Sequence, residues 1–210
     1  MYSMRSTKAL ISKDNFLYNL HSIKQRVGRD RKVCIAVKAD GYGHGAAFLA
    51  KAAIESGDAD FLGVAAISEG AELRSSGIKA PILLFSLASA AEIPELFDYN
   101  ITPFTADLSY LNDIAREAKK RNTAKNVHLK LDTGMRRVGC RPEDAPAIAE
   151  FIAGNRNLKL GGICTHFPVS DSADREFTTN QIELFRSTVN KIKEKKIDTD
   201  KFIAKENKNK

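Results

Sequence analysis

The strongest constraint on this sequence is a regular alternation between short apolar segments and longer amphipathic ones. The short segments are rich in β-branched residues and leucine and are bounded by turn residues, which is typical of buried strands. The longer segments repeat apolar residues at helical spacing. The pattern predicts strands at 33–37, 61–67, 81–85, 101–105, 127–132 and 158–164. It predicts helices at 12–27, 46–56, 69–75, 88–99, 108–121, 142–153 and 176–195. Ser12 caps the first, Ser68 caps the third with Glu69 in its first turn, Asp107 starts the fifth, and Pro142 lies in the first turn of the sixth.

This alternation indicates an α/β fold with a parallel sheet, because parallel strands need long crossover connections that are usually helical. Two closures fit the pattern: a (β/α)8 barrel and an open doubly wound sheet. Basic side chains at three different strand ends (Lys38, Arg137 and His166) favour the barrel, in which several strands meet at one mouth. We therefore expect a TIM-type barrel with about six of its eight strands present.

Composition narrows the class of protein further. The chain has 210 residues, of which 43% are hydrophobic and 28% are charged, as expected for one globular domain. Its net charge of +7 is spread along helix faces, so we expect no nucleic-acid partner. No apolar run is long enough to predict a membrane span. The polar N-terminus and the three scattered cysteines, Cys34, Cys140 and Cys164, indicate a cytoplasmic protein with reduced core thiols and no metal site.

The two ends of the chain differ in character. Residues 1–197 carry the strand and helix patterns of one domain. Residues 198–210 form a tail rich in lysine and asparagine without an apolar face, which predicts disorder. The pattern thus stops before a barrel of eight strands would close, and we expect a truncated domain.

The segment 33–45 carries the first chemical signal. An apolar strand ends at Lys38, and glycines at positions 41, 43 and 45 follow at alternate positions. The carboxyl ends of parallel strands are where such folds place their chemistry. An amine held there partly out of water loses basicity and can form a Schiff base with a carbonyl compound. The alternative is a surface lysine that merely ends a strand.

Three segments resemble the alanine racemase family, in register and at similar spacing. They are 37–45 (VKADGYGHG), 128–139 (HLKLDTGMRRVG), and 165–167 (THF) with 177–185 (FTTNQIELF). The resemblance covers roughly residues 12–197. It implies pyridoxal 5'-phosphate as cofactor, a barrel domain followed by a C-terminal β-domain, and a head-to-tail homodimer. The implied activity is the interconversion of L-alanine and D-alanine for peptidoglycan synthesis.

The resemblance also implies roles for individual residues. Lys38 would hold the cofactor covalently and act as the base on one face of the α-carbon. Tyr42 would bind the phosphate, and His166 would pack near the pyridine ring. Arg137, rather than its neighbour Arg136, would bind the phenolic oxygen and the substrate carboxylate. Lys130 matches a carbamylated lysine of the family, although a lysine extending its amine from a strand end explains it equally well.

Several family features have no counterpart in the chain: the Asn-Ser-Gly block, the arginine that pairs with the pyridine nitrogen, and the C-terminal β-domain with its tyrosine base. We therefore expect weak or no racemase activity from these 210 residues alone. A barrel-only protein that binds the cofactor without catalysis and a non-enzymatic fragment stay open as alternatives. Other racemases and decarboxylases of this fold, and serine as the substrate, are further options.

Overall fold

A computed structural model describes residues 8–197, which form one six-stranded parallel sheet with helices along the chain between the strands. The strands are β1 (Cys34–Ala36), β2 (Phe61–Val64), β3 (Ile82–Leu84), β4 (Ile101–Thr105), β5 (Lys125–Lys130) and β6 (Leu158–Cys164). The helices are α1 (Lys13–Val27), α2 (Lys38–Gly43), α3 (Ala46–Glu55), α4 (Ile67–Ser75), α5 (Ile93–Asp98), α6 (Leu108–Lys120), α7 (Ala145–Gly154) and α8 (Glu176–Glu194). The predicted tail at 198–210 lies outside the described residues.

Each strand pairs with the next one in the chain, in the order β1-β2-β3-β4-β5-β6. A doubly wound sheet reverses its strand order at a switch point. No such reversal occurs among the six strands described, so the open alternative is wrong and the first six strands of a (β/α)8 barrel are confirmed. All carboxyl ends of these parallel strands consequently lie at one edge of the sheet.

The main core lies between the sheet and its helices. Strand residues that are fully buried pack against fully buried helix residues in one continuous cluster, which includes Leu62, Ile82, Leu84, Ile101, Leu111, Ile114, Leu129 and Ile152. A smaller cluster, built on Leu20, Ala53 and Ala59, attaches α1 to α3. Within residues 8–197, no helix combines the length and the apolar character needed to cross a membrane.

A row of rings packs across neighbouring strands. The centroid of Phe85 is 5.3 Å from that of Phe104, which is 6.1 Å from the imidazole of His128. Glycines make the space for this ring row: a Cβ on Gly63 would overlap Phe85, and one on Gly162 would lie 2.7 Å from Nδ1 of His128. Burial lowers the pKa of His128 to about 4, so its ring is neutral at physiological pH.

Local sequence patterns predicted the starts of two helices and the bounds of two strands correctly. The Ser12 hydroxyl accepts a hydrogen bond from the Asn15 N–H and begins α1, and Asp107 caps α6 in the same way through Tyr110. Strands β4 and β6 have the predicted bounds.

Three predicted helix starts were wrong. Helix α4 begins at Ile67, because the carboxylate of Glu69 accepts the N–H groups that precede the helix, and Ser68 is not its cap. Helix α5 begins at Ile93 rather than near residue 88, with Pro94 in its first turn. Helix α7 begins at Ala145 with Pro146 in its first turn, and Pro142 lies in the preceding turn.

A buried lysine lies at the opposite edge of the sheet from the carboxyl ends. The amine of Lys125, at the start of β5, donates to the carbonyl of Leu96 and lies 4.7 Å from the ring centroid of Phe97. Burial, followed by the charges of Arg121 and Arg74, lowers its pKa from 10.5 to about 8. The folded state therefore disfavours the protonated amine relative to the unfolded chain.

We predict that Lys125→Met changes the pH dependence of stability. Below pH 8 the native protein carries the full cost of the protonated amine, and this cost disappears as the pH rises towards 10.5. Urea unfolding at pH 7 and pH 10 should show that the native chain gains about 1–3 kcal/mol relative to Lys125→Met. An unchanged difference between the two proteins at both pH values would contradict this assignment.

Candidate active site

Basic and aromatic side chains meet at the carboxyl edge of the sheet. Lys38 lies two residues after the end of β1, Lys130 ends β5, and His166 lies two residues after the end of β6. A narrow cavity of about 10 Å³ is lined jointly by Lys130, Arg137 and His166. A larger surface groove beside α6 includes Asn157, which precedes β6, and so lies at the other edge.

The charges at this edge act on one another. The pKa of His166 is lowered by burial first, and then by the positive charges of Lys130, Arg137 and Lys38. All three charges that perturb the imidazole are positive. The structure thus brings together all four charged or titratable side chains that the sequence selected for this edge, and Tyr42 lies beside one of them, with its ring centroid 5.9 Å from Nζ of Lys38.

The segment after Lys38 is wound left-handed. In α2, residues 39–42 have φ between 51° and 61° and ψ between 38° and 48°, and only one of the four, Gly41, is a glycine. Left-handed helical geometry costs about 1–2 kcal/mol for each residue with a Cβ. Non-glycine residues held there occur mainly where function demands a special geometry. The glycines in the sequence predicted a sharp turn, but not this winding of Ala39, Asp40 and Tyr42.

Hydrogen bonds at both ends hold this left-handed turn. The N–H of Gly41 donates to the carbonyl of Val37 at 2.8 Å, and that of Gly45 donates to the carbonyl of Asp40 at 2.9 Å. The carboxylate of Asp40 accepts the N–H of Ala46 at 2.7 Å and so joins the turn to the start of α3. The backbone carbonyls and carboxylate compensate for part of the conformational cost.

Glu69 contacts the turn from the other side. One carboxylate oxygen, Oε1, accepts the N–H of Ala39 at 2.8 Å. The other, Oε2, accepts the N–H groups of Ala65 and Ala66 at 2.7 and 3.2 Å. The sequence suggested only an acidic residue in the first turn of a helix. Because the contact to Ala39 spans 30 residues, no local pattern indicated it.

Lys130 carries a buried amine at the end of β5. The residue is only 8% exposed, and its Nζ lies 5.6 Å from the ring centroid of Phe104. Burial is the main cause that lowers its pKa; the charge of Arg137 also lowers it, whereas Cys164 and Asp132 act in the opposite direction. Within residues 8–197 the amine makes no hydrogen bond or ion pair. Burying a charge is costly, so this site favours the neutral amine.

Hydrogen bonds within the loop hold the loop that carries Arg137 in one conformation. The carboxylate of Asp132 accepts the N–H groups of Gly134 and Arg136, both at 2.9 Å. Cys140 returns the chain to the end of β5 by donating to the carbonyl of Lys130 and accepting from the N–H of Asp132. The exposed guanidinium of Arg137 is therefore presented by a closed loop.

Gln181 on α8 joins the loops after β5 and β6. Its amide nitrogen donates to the hydroxyl of Thr133 and to the carbonyl of His166, both at 3.1 Å. The hydroxyls of Thr133 and Thr165 lie 2.7 Å apart. Gln181 is only 2% exposed. No local sequence pattern indicated these contacts, because Thr133 lies 48 residues away.

The cysteines do not form a reactive site. All three are free thiols, and burial raises the pKa of Cys140 to about 12 and that of Cys164 to about 11. The prediction of a core position is wrong for Cys34, which lies exposed on the edge strand β1. In the part of the chain that is described, no group of His, Cys, Asp and Glu side chains is arranged to hold a metal ion.

Comparisons with known proteins agree on one family. The model of the alanine racemase N-terminal domain matches residues 11–204. Alanine racemase from Treponema denticola is 50% identical over 193 residues, which are 90% of this chain and 51% of that protein. Alanine racemase from Treponema pallidum is 37% identical over 196 residues, with coverage of 90% and 51%.

Solved structures give the same result. Alanine racemase from Clostridium difficile superimposes with a TM-score of 0.85 at 33% identity, covering 90% of this chain and 50% of that one. Alanine racemase from E. faecalis gives a TM-score of 0.80 at 33% identity, with coverage of 86% and 49%. The chain spans about half the length of the curated relatives that it matches.

Gly139 offers a test of the loop that presents Arg137. Its φ is +141°, and an added Cβ would lie 2.6 Å from the backbone nitrogen of Asp132. We predict that Gly139→Ala lowers the free energy of unfolding by about 1–3 kcal/mol, measured by urea titration, because backbone atoms cannot move aside easily.

Gly154→Ala is the matched control, since nothing lies within 4 Å of the position that its Cβ would take. Its stability should change by less than about 0.5 kcal/mol. Equal stability of the two variants would show that the loop is not closely packed against β5.

Proposed function

This chain belongs to the alanine racemase family through its N-terminal domain, and from that membership we propose that it serves the pyridoxal-phosphate-dependent interconversion of L-alanine and D-alanine. The observation that carries the proposal is the meeting of Lys38, Arg137 and His166 at one edge of the sheet. These side chains come from three separate strand ends, which is how barrel enzymes assemble their sites.

The chemistry of the side chains fits this cofactor. Lys38 and Arg137 both act on His166 as positive charges, so the edge attracts anions. Pyridoxal phosphate and the carboxylate of an amino acid are both anionic. The primary amine of Lys38 can bond to an aldehyde carbon, and the guanidinium of Arg137 can donate to a phenolate or carboxylate oxygen. The donor set therefore suits an anionic aldehyde together with an amino-acid substrate.

Lys38 is the proposed base. Its amine would hold the cofactor and, once released by the incoming amino acid, remain tethered within reach of the α-proton on one face. When bound, the cofactor supplies a ring that accepts the electron pair left on the α-carbon. The left-handed turn that follows Lys38 limits where its amine can reach, because it fixes the backbone on which the side chain is carried.

Arg137, His166 and Tyr42 have binding roles in this proposal. Arg137 would bind the phenolic oxygen of the cofactor and face the substrate carboxylate. His166, whose lowered pKa keeps it neutral at physiological pH, would pack near the pyridine ring without adding a further positive charge. Tyr42 is 62% exposed, so its hydroxyl is free to reach a phosphate group.

We propose that Lys130 is carbamylated. Its buried amine makes no hydrogen bond or ion pair within residues 8–197, and its lowered pKa increases the fraction of neutral amine that can add carbon dioxide. That addition releases a proton and leaves an anionic carbamate next to Arg137. The product would orient the guanidinium, and the positive charge of Arg137 would offset part of the cost of burying the carbamate. An unmodified lysine packed on Phe104 is the alternative.

The family also suggests the setting of this activity. We propose a cytoplasmic homodimer that supplies D-alanine for peptidoglycan, with alanine as the small-molecule substrate and no nucleic acid or membrane as partner. A protein that binds the cofactor without turnover would share the features at the carboxyl edge, so binding and turnover require separate measurements.

We predict that incubation with pyridoxal phosphate, reduction with borohydride and peptide mass spectrometry will place one pyridoxyl group on Lys38. Lys38→Ala should lose this adduct. In the complete parent protein, the same substitution should reduce alanine racemisation about 10³-fold, as measured by coupled D-alanine detection, because a tethered base is removed.

Lys51→Ala is the control, because Lys51 is an exposed lysine on the neighbouring α3. It should keep both the adduct and the activity. An adduct on Lys51 instead of Lys38 would contradict the assignment, and an adduct on Lys38 without any racemisation by the parent protein would favour the binding protein without turnover.

A further inference from the structure

One carboxylate joins two segments that are distant in the sequence. Glu69 accepts three backbone N–H groups, one from the turn that follows Lys38 and two from the segment between β2 and α4. We propose that Glu69 is a positioning residue that holds Lys38 in its reactive orientation. The inference rests on the proposed function, since it gives Lys38 the role of the amine that binds the cofactor.

The geometry of the contact is what gives Glu69 this influence. The N–H of Ala39 belongs to the peptide that directly follows the α-carbon of Lys38. Its direction is set by the ψ angle of Lys38, so a hydrogen bond of 2.8 Å to Oε1 restrains that angle. A bond to a charged acceptor is stronger than one between neutral groups. Glu69 therefore restrains the backbone from which the amine of Lys38 extends.

The left-handed turn makes this restraint necessary. Ala39, Asp40 and Tyr42 all have positive φ, a conformation that side chains with a Cβ disfavour. Asp40 secures the far end of the turn through the N–H of Ala46. At the near end, Glu69 is the only side chain that a hydrogen bond connects to Ala39 within residues 8–197. Without it, the near end could relax towards ordinary right-handed geometry.

A simpler interpretation is that Glu69 only caps α4, since its other oxygen accepts the N–H groups of Ala65 and Ala66. Oε1 and Oε2 of Glu69 have different hydrogen-bond partners, so one substitution can remove the contact to the turn and keep the cap of α4. In Glu69→Gln the amide oxygen can keep Ala65 and Ala66, which leaves the NH2 group facing the N–H of Ala39. Two donors then face each other, so the contact to the turn is lost while the cap remains. Glu69→Ala removes both.

The experiment compares the native chain with Glu69→Gln, Glu69→Ala and Glu72→Gln. Glu72 lies one turn further along α4, is exposed and makes no side-chain hydrogen bond or ion pair among the described residues, so its substitution is a matched control. Three quantities are measured for each protein: the Lys38 adduct, the thermal midpoint, and the hydrogen exchange of the Ala39 amide. The adduct is the fraction of Lys38 that carries a pyridoxyl group after incubation with a limiting concentration of pyridoxal phosphate, followed by borohydride reduction.

We expect Glu69→Gln to reduce the Lys38 adduct about tenfold and to accelerate exchange at Ala39. A tenfold change corresponds to about 1.4 kcal/mol, within the range of one charged hydrogen bond, and the loss of this bond should lower the thermal midpoint by only about 3–6 °C. Glu69→Ala should lower the thermal midpoint further, and Glu72→Gln should change none of the three quantities. Native levels of adduct in Glu69→Gln would overturn the inference. If Glu69→Gln fails to fold, Glu69→Asp makes the same comparison, because it keeps the charge but is one methylene too short to reach both segments.

The two proposals fail in different ways. If the native chain forms no adduct on Lys38, the proposed function is wrong. Exchange at Ala39 then decides whether Glu69 restrains the turn: acceleration in Glu69→Gln supports the restraint, and unchanged exchange overturns it.

Discussion

The parallel hydrogen-bonded pairing of each strand with its successor is the constraint on which this structure depends. Because no strand is inserted out of order among the six described, every crossover returns the chain to the same edge of the sheet. Lys38, Lys130 and His166 are far apart in the sequence, yet each lies at or within two residues of the end of a strand on that edge. The strand pairing therefore brings these residues to one edge of the sheet without any contact between their side chains.

Acidic side chains near the carboxyl edge are used for backbone support. Asp40, Glu69 and Asp132 each accept N–H groups of loops that carry site residues. Their hydrogen bonds stabilise unusual loop conformations, including the left-handed turn. Among residues 8–197, Lys38, Lys130 and Arg137 form no ion pair with these carboxylates. A single arrangement thus provides both rigid loops and a positive potential, which together suit an anionic ligand.

The sequence mainly predicted those features of the fold that depend on residues close together along the chain. Alternating apolar segments indicated the order of elements, and the Ser12 and Asp107 caps marked helix starts correctly. Ser68 and Pro142 were equally good local signals, but α4 begins after Ala66, where Glu69 accepts the preceding N–H groups, and α7 begins after Asp144. The roles of Glu69 and Gln181 could not be predicted, because their partners lie 30 and 48 residues away. The resemblance selected the side chains at the edge, whereas the contacts that orient them emerged only from the folded chain.

The ring row across the interior has a consequence for how relatives of this chain can diverge. Phe85 occupies the space that a side chain at Gly63 would take, and His128 does the same at Gly162. Each glycine and its facing ring therefore share one fixed volume, and neither can enlarge alone in a close-packed interior. Substitutions at these positions should consequently appear in pairs, with a larger residue on one strand accompanied by a smaller one on its neighbour. In the sequences of the family, such paired substitutions would reflect the fixed width of the barrel interior.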